Sequence, residues 1–173
     1  IYNGLDFSHV VPKTDRAAYF AQFGYTVHEG DVIAGIAARL DPVKDIPTLL
    51  RAVALAKKAC PQLRLAIAGD GKERKKLEAL TKELDLADSV FFLGWVNDLD
   101  SFYGALDINT LSSVSEAFPY ALPEGARAHL ATVASNVGGV PAIIEHGVTG
   151  LLIEPGDVRM LAAYLARYAL DEN

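Results

Sequence analysis

The sequence is short of cysteine. Cys60 stands alone, which excludes an intrachain disulfide and fits a reducing compartment, so a cytoplasmic protein is expected. No apolar run approaches the ~18–20 residues that a bilayer-spanning helix needs, and no stretch resembles a secretory signal. Positive charge is not in excess either. Lysine and arginine number 16 against 22 aspartates and glutamates, for a net charge of −6 and a pI near 5.1, so neither nucleic acid nor an anionic membrane is an expected partner. Internal repeats and low-complexity tracts are absent. No histidine joins acids at a convincing metal-ligand spacing, so no metal is expected. What is present suits a globular fold: 173 residues, 51% of them hydrophobic, one domain by size and long enough to bury a substantial core.

Taken in order, residues 15–23 read as a short helix that Gly24 stops. Residues 32–38 form an apolar run, read as the first buried strand. Arg39, Leu40, Asp41 and Lys44 follow it, placing two cations on a loop that leaves a strand; an isolated arginine there would read as a solvated charge. Asp45 suits the N-cap of a helix whose Ile46, Leu49, Leu50, Val53 and Ala54 share one face. Pro61 ends that helix, and residues 63–68 make the second strand. Gly69-Asp70-Gly71 is a tight turn that lets backbone approach a nucleotide closely. No third glycine completes a dinucleotide fingerprint, and turn chemistry alone explains the pair as well. Leu77, Leu80 and Leu84 mark the next helix, with Lys72, Arg74, Lys75 and Lys76 on a solvated face.

Residues 90–93 are the third strand, closed by Gly94-Trp95-Val96, where Trp95 either stacks on a ligand or packs partly buried. Residues 99–103 read as a short helix, 105–111 as the fourth strand, 131–135 as the fifth and 147–153 as the sixth with its leading turn. Asp157 caps a last helix. His129 and His146 read as packed or surface residues and Cys60 as structural. Strands alternating with helices predict an α/β fold: a Rossmann-like doubly wound parallel sheet of about six strands, with helices on both faces and right-handed crossovers.

The most informative stretch is residues 115–125, Ser-Glu-Ala-Phe-Pro-Tyr-Ala-Leu-Pro-Glu-Gly. Glu116 falls on the loop leaving the fourth strand, and Glu124 in the first turn of the next helix. Pro123 suits that turn, because its missing N–H would have no intrahelical partner there. Two acids at the carboxyl end of a parallel sheet can face the crevice where such sheets bind ligands. A helix start beside them offers N–H groups and a favourable dipole to an anion. Hydroxyl acceptors beside an anion site suit a sugar attached to phosphate.

Glu116 and Glu124 resemble the E-x7-E signature of the retaining glycosyltransferases of the GT-B fold, family 4 type. The neighbouring motifs agree in order. Arg39 and Lys44 resemble the family's phosphate-binding pair. Phe92-Leu93-Gly94-Trp95-Val96 is similar to its Phe-Leu-Gly-x-Val, and residues 134–141 are close to its Ala-Ser-x-Val-Gly-Gly-x-Pro. Asn3-Gly4-Leu5-Asp6 is similar to the segment that enters the family's C-terminal domain.

The resemblance implies one half of a GT-B fold: a C-terminal, donor-binding domain separated from an N-terminal acceptor domain. It further implies a nucleoside-diphosphate sugar such as a UDP-sugar as donor, with transfer of the sugar and retained anomeric configuration. Arg39 and Lys44 are then the groups that stabilise the leaving diphosphate. Glu116 lies at the donor sugar, as a hydroxyl contact or as the acid–base or nucleophilic group, and Glu124 accepts the ribose hydroxyls. Gly94 and Val96, Phe118, Ala121 and Leu122, and the glycines Gly69, Gly71, Gly138 and Gly139 complete the donor pocket.

No cofactor or metal is implied. The other domain of the same protein is the expected partner, the only route to a membrane surface, and the chain alone is expected as a monomer or weak dimer. Pro119 and Pro123 depart from the family pattern and bear on how the diphosphate is held. A nucleotide-sugar epimerase of related fold and a non-catalytic nucleotide-binding module are the two other readings. The E-x7-E with Arg39 and Lys44 speaks against the first.

Overall fold

Period-two alternation decides how the strands sit in a two-faced core. In the computed structural model, which describes residues 10–170, β1 (Val32–Ala37) turns Ala34 and Ile36 to one face and Ile33 to the other. In the same way β2 (Leu63–Ala68) sends Leu63, Leu65 and Ile67 to the first face and Ala66 and Ala68 to the second. Burying each such Leu or Ile side chain contributes about 1.5–3 kcal/mol, which makes a one-residue register slip prohibitive.

The remaining strands are β3 (Val90–Gly94), β4 (Ile108–Leu111), β5 (Ala131–Ser135) and β6 (Leu151–Ile153). All six pair in parallel, in the order β3-β2-β1-β4-β5-β6. This is the doubly wound arrangement expected, and the strand order reverses between β1 and β4.

Helices cover both faces. On one lie α2 (Ile46–Ala56), α3 (Arg74–Glu83) and α6 (Val158–Leu170), with α2 packed along α6. On the other lie α1 (Arg16–Ala21) and α4 (Leu99–Gly104), which bring Phe20, Phe102 and Tyr103 onto Phe91, Ile33 and Leu106. A third cluster of Leu111, Leu122, Ala134, Val140 and Ile144 lies under α5 (Ala121–Arg127).

Helix starts follow the sequence in three places. Asp15, Asp98 and Asp157 accept from the N–H groups of Ala18, Ser101 and Met160 at 3.1, 3.0 and 2.9 Å. Gly24 takes the left-handed conformation expected of a stop. Cys60 is buried, its thiol 3.7 Å from the Ala166 carbonyl, and burial pushes its pKa up. His146 is exposed and accepts from the Leu152 N–H at 2.9 Å.

Three expectations are corrected. Asp45 occupies the N-cap position of α2 in the left-handed region, and its side chain caps nothing. The carboxylate that does cap belongs to Asp41, which receives the Val43 N–H at 3.1 Å and starts a 3-10 turn over Pro42–Lys44. The fourth strand begins at Ile108 because Ala105 and Leu106 still close α4 through bonds to the Phe102 and Tyr103 carbonyls. Asp107 then locks the junction, pairing with Arg16 at 2.7 Å and taking the Ile33 N–H at 2.8 Å. The sixth strand needs no such correction: it follows its leading turn as expected, a backbone bond of 2.8 Å from the Gly147 N–H to the Gly150 carbonyl preceding Leu151–Ile153. The first strand also ends one residue early, at Ala37. The Asn3-Gly4 segment lies outside the described residues.

Candidate functional site

The switch point between β1 and β4 opens a cavity of about 590 Å³ above the carboxyl ends of the strands. Four loops wall it, one from each of β1 to β4. Arg39, Lys44, Gly69, Trp95, Val96, Glu116, Phe118, Ala121 and Glu124 all line it, so residues far apart in sequence meet there.

Arg39 leaves β1 exposed, and among the described residues its guanidinium has no ion-pair partner. Its loop is held by backbone bonds from Ala38 to Ala68 at 2.9 Å and from Leu40 to Asp70 at 3.0 Å. Gly69 makes this approach possible. At its φ of +140° a Cβ would lie 1.9 Å from the Ala38 carbonyl oxygen, so only glycine fits. Gly71 presses on Leu40 in the same manner without reaching the cavity.

Lys44 ends the 3-10 turn and reaches the neighbouring loop. Its Nζ lies 2.6 Å from Glu116 Oε1, and the Ser113 hydroxyl donates to that same oxygen at 2.5 Å. The two loops are stitched further by Ser112 Oγ donating to the Lys44 carbonyl at 2.8 Å and by the Val114 N–H donating to Val43 O at 2.9 Å. The Lys44 and Glu116 side chains are 21% and 9% exposed, so the pair is shielded from solvent but open to the cavity.

Gly138 and Gly139 act from beneath. The Gly139 N–H donates to the Glu116 carbonyl at 3.1 Å, and a Cβ on Gly138, at φ +51°, would fall 1.7 Å from that oxygen. Neither glycine lines the cavity; together they set the backbone that presents Glu116.

Glu124 is held differently. It projects from α5, and its Oε2 accepts from the Tyr103 hydroxyl at 3.0 Å. No cation pairs with it among the described residues. Burial pushes the Tyr103 pKa well above its ordinary 10.0, with the Glu124 charge adding to the effect, so the phenol remains a donor. The start of α5 is anchored by buried Asn109, whose Nδ2 donates to the Ala121 carbonyl at 2.9 Å. In the first turn the Leu122 N–H already goes to Pro119 at 3.2 Å, and Pro123 has none. Two of the four donors expected for an anion are therefore spoken for, leaving the N–H groups of Tyr120 and Ala121.

Leu122 is fully buried in the core and Gly94 sits behind the cavity wall, its carbonyl receiving the Gly69 N–H at 2.7 Å. Trp95, left open by the sequence, is 78% exposed with its indole N–H on Asn97 at 2.9 Å, so packing does not account for it. Sequence reasoning missed Asp41, Asp70, Leu99, Leu111 and Tyr120 in the lining and Tyr103 behind it. Tyr103 gave no signal, because a tyrosine beside Phe102 in an apolar helix reads as core. Among the described residues no three His, Cys, Asp or Glu side chains converge to hold a metal ion, and no helix is long and apolar enough to cross a membrane.

Comparison with known proteins gives a consistent picture. The profile of the family described as glycosyl transferases group 1 matches residues 20–173. An exopolysaccharide phosphotransferase of Streptomyces coelicolor is 38% identical over 136 residues, covering 78% of this chain and 14% of that protein. The D-inositol 3-phosphate glycosyltransferase of Corynebacterium jeikeium is 29% identical over 179 residues, covering 98% of this chain and 43% of that one. Among solved structures, Anabaena HepE in complex with UDP and glucose superposes with a TM-score of 0.86 at 30% identity, over 99% of this chain and 47% of HepE. The chain thus spans less than half the length of each of these relatives.

Proposed function

The chain belongs to the glycosyl transferases group 1, and from that premise we propose that it is the donor-binding half of a retaining, family 4 type glycosyltransferase acting on a nucleoside-diphosphate sugar, with UDP as the nucleotide. One observation carries the reading. The acid pair Glu116 and Glu124 and the cation pair Arg39 and Lys44, drawn from two stretches more than 70 positions apart, line a single cavity at the switch point of the sheet. HepE, similar over nearly the whole chain, holds UDP and glucose.

Departure of a nucleoside diphosphate places negative charge on its phosphate oxygens. Arg39 offers a planar fork of donors to that charge and Lys44 a mobile point charge, both stronger in the transition state than before it. Glu116 accepts from hydroxyls of the donor sugar, and Glu124 from the ribose. Pro119 is buried and removes one backbone donor beside the diphosphate. The acceptor is bound by the other half of the protein, so these 173 residues bind the donor and transfer nothing by themselves. We place the protein in the cytoplasm.

Trp95 is the sole tryptophan and lines the cavity, so its emission reports occupancy directly. Titration with UDP and UDP-glucose should shift that emission saturably, with matching heat by calorimetry. No response to UDP, GDP or ADP by either method would end the nucleotide reading. Retention is tested separately, on the full-length protein, by the anomeric configuration of the product in NMR spectra.

A further inference from the structure

Glu124 stands in the cavity as a carboxylate without a counter-cation among the described residues, on a side chain with three rotatable bonds. Its recorded partner is the Tyr103 hydroxyl, 3.0 Å from Oε2. Tyr103 itself is packed into the core. It is 1% exposed, its ring meets Phe102 edge-on at 5.4 Å, and it belongs to the aromatic core between α4 and the sheet. A phenol has one proton to give, and here it goes to Oε2, so Oε1 is left for a ligand. Burial keeps that proton in place far above neutral pH.

We infer that Tyr103 is a positioning residue: it fixes the Glu124 carboxylate so that the acid receives the vicinal hydroxyls of a ribose without first having to be ordered. The inference rests on the nucleotide reading above and extends it to a core residue that never touches the ligand. A carboxylate tethered by a neutral hydroxyl keeps its full charge toward neutral donors, whereas an arginine in the same place would compete for both oxygens. Prior ordering matters because immobilising a flexible side chain on binding costs affinity.

The test compares the parent chain with Tyr103→Phe, which retains the ring and removes only the hydroxyl; thermal melting checks the fold. Of UDP, GDP and ADP, whichever binds is paired with its 2′,3′-dideoxy analogue, which has no hydroxyls for Glu124 to accept. Tyr103→Phe should weaken the ordinary nucleotide by about 2- to 12-fold, the range of one ordinary hydrogen bond, and leave the dideoxy analogue unchanged. In a Glu124→Ala background the same substitution should add nothing, because the two residues act as one unit.

Equal weakening of both nucleotides would reveal a merely structural tyrosine and overturn the inference. Full additivity with Glu124→Ala would do the same. If Glu124→Ala weakens the nucleotide and Tyr103→Phe does not, the tyrosine assignment alone falls. If no nucleotide binds the parent chain, the nucleotide reading falls and takes the inference with it.

Discussion

Glu116 and Glu124 are the same residue type, with seven residues between them, in one cavity, yet their surroundings are opposite in kind. Glu116 gives one oxygen to both Lys44, at 2.6 Å, and Ser113, at 2.5 Å, so its charge is balanced on the spot. Glu124 gives one oxygen to a neutral phenol at 3.0 Å and keeps its charge. A balanced acid is sensitive to whatever competes for its cation, so a phosphate arriving beside Lys44 would change the state of Glu116. An unbalanced acid keeps its acceptor oxygens available to neutral donors. Both cations of the lining lie in the β1–β4 half, Arg39 unpaired among the described residues and Lys44 on Glu116, with Asp41 and Asp70 beside them. The α5 half carries an acid and no cation. That polarity gives a ligand with a charged end and a hydroxyl-bearing end a single orientation.

The largest effects should come from breaking each half in turn. Arg39→Ala removes the unpaired cation and should weaken UDP by about 10- to 150-fold while leaving uridine nearly untouched. Glu124→Ala should weaken UDP and uridine by a similar factor, since both carry the ribose. Calorimetry measures the diphosphate, and competition measures the weaker nucleoside. Equal losses for uridine and UDP in Arg39→Ala would erase the distinction between the two halves.

A smaller effect separates the acids by what holds them. Lys44→Met keeps the apolar stem and leaves the Glu116 carboxylate, 9% exposed, without its cation. The ligand-free chain should lose about 1–3 kcal/mol, below the range for a fully buried pair because Lys44 is partly exposed. Adding Glu116→Gln should restore most of that loss, since the orphaned charge is gone. Chemical denaturation reads both values. A double variant no more stable than Lys44→Met would mean that the ion pair does not hold the two loops together.

Much of this arrangement was readable from the chain alone. Alternating strands and helices, with a run of apolar residues in each strand, led directly to the doubly wound sheet. The acid and cation pairs were found because their spacing is local. What remained hidden depends on contacts across the chain. Asp45 reads as a cap, but the tight turn that Asp41 starts throws it into the left-handed region at φ +43°. Gly138 and Gly139 read as ligand-facing, yet they face the Glu116 backbone, a packing relation with no trace in the sequence. Ser113 and Tyr103 are hydroxyls whose partners lie 3 and 21 residues away, and only the folded geometry says which acid each one holds.

The smallest prediction extends the comparison to two buried tyrosines, one with an acid partner and one without. Tyr103 donates to Glu124, whereas the Tyr19 hydroxyl is buried with no hydrogen-bond partner among the described residues. Burial pushes the Tyr19 pKa up to about 12, the charge of Asp98 adding to it, and pushes that of Tyr103 well above 10.0 through burial and the Glu124 charge. Both phenols are therefore neutral in the folded chain at a pH where an unfolded tyrosine ionises. Their contribution is complete below pH 10 and declines above it, by about 1.4 kcal/mol per pH unit for each tyrosine. For Tyr19 the decline levels off near pH 12, where the folded form ionises as well; for Tyr103 it continues further. At pH 8, Tyr19→Phe should match or slightly exceed the parent, because it discards an unpartnered hydroxyl. Tyr103→Phe should fall below the parent by about 0.5–1.5 kcal/mol. Between pH 10 and 12 both variants should gain on the parent, each by the share of the tyrosine removed. Denaturation midpoints measured against pH decide it, and two Phe variants running parallel to the parent across that interval would show that neither phenol is held neutral by its surroundings.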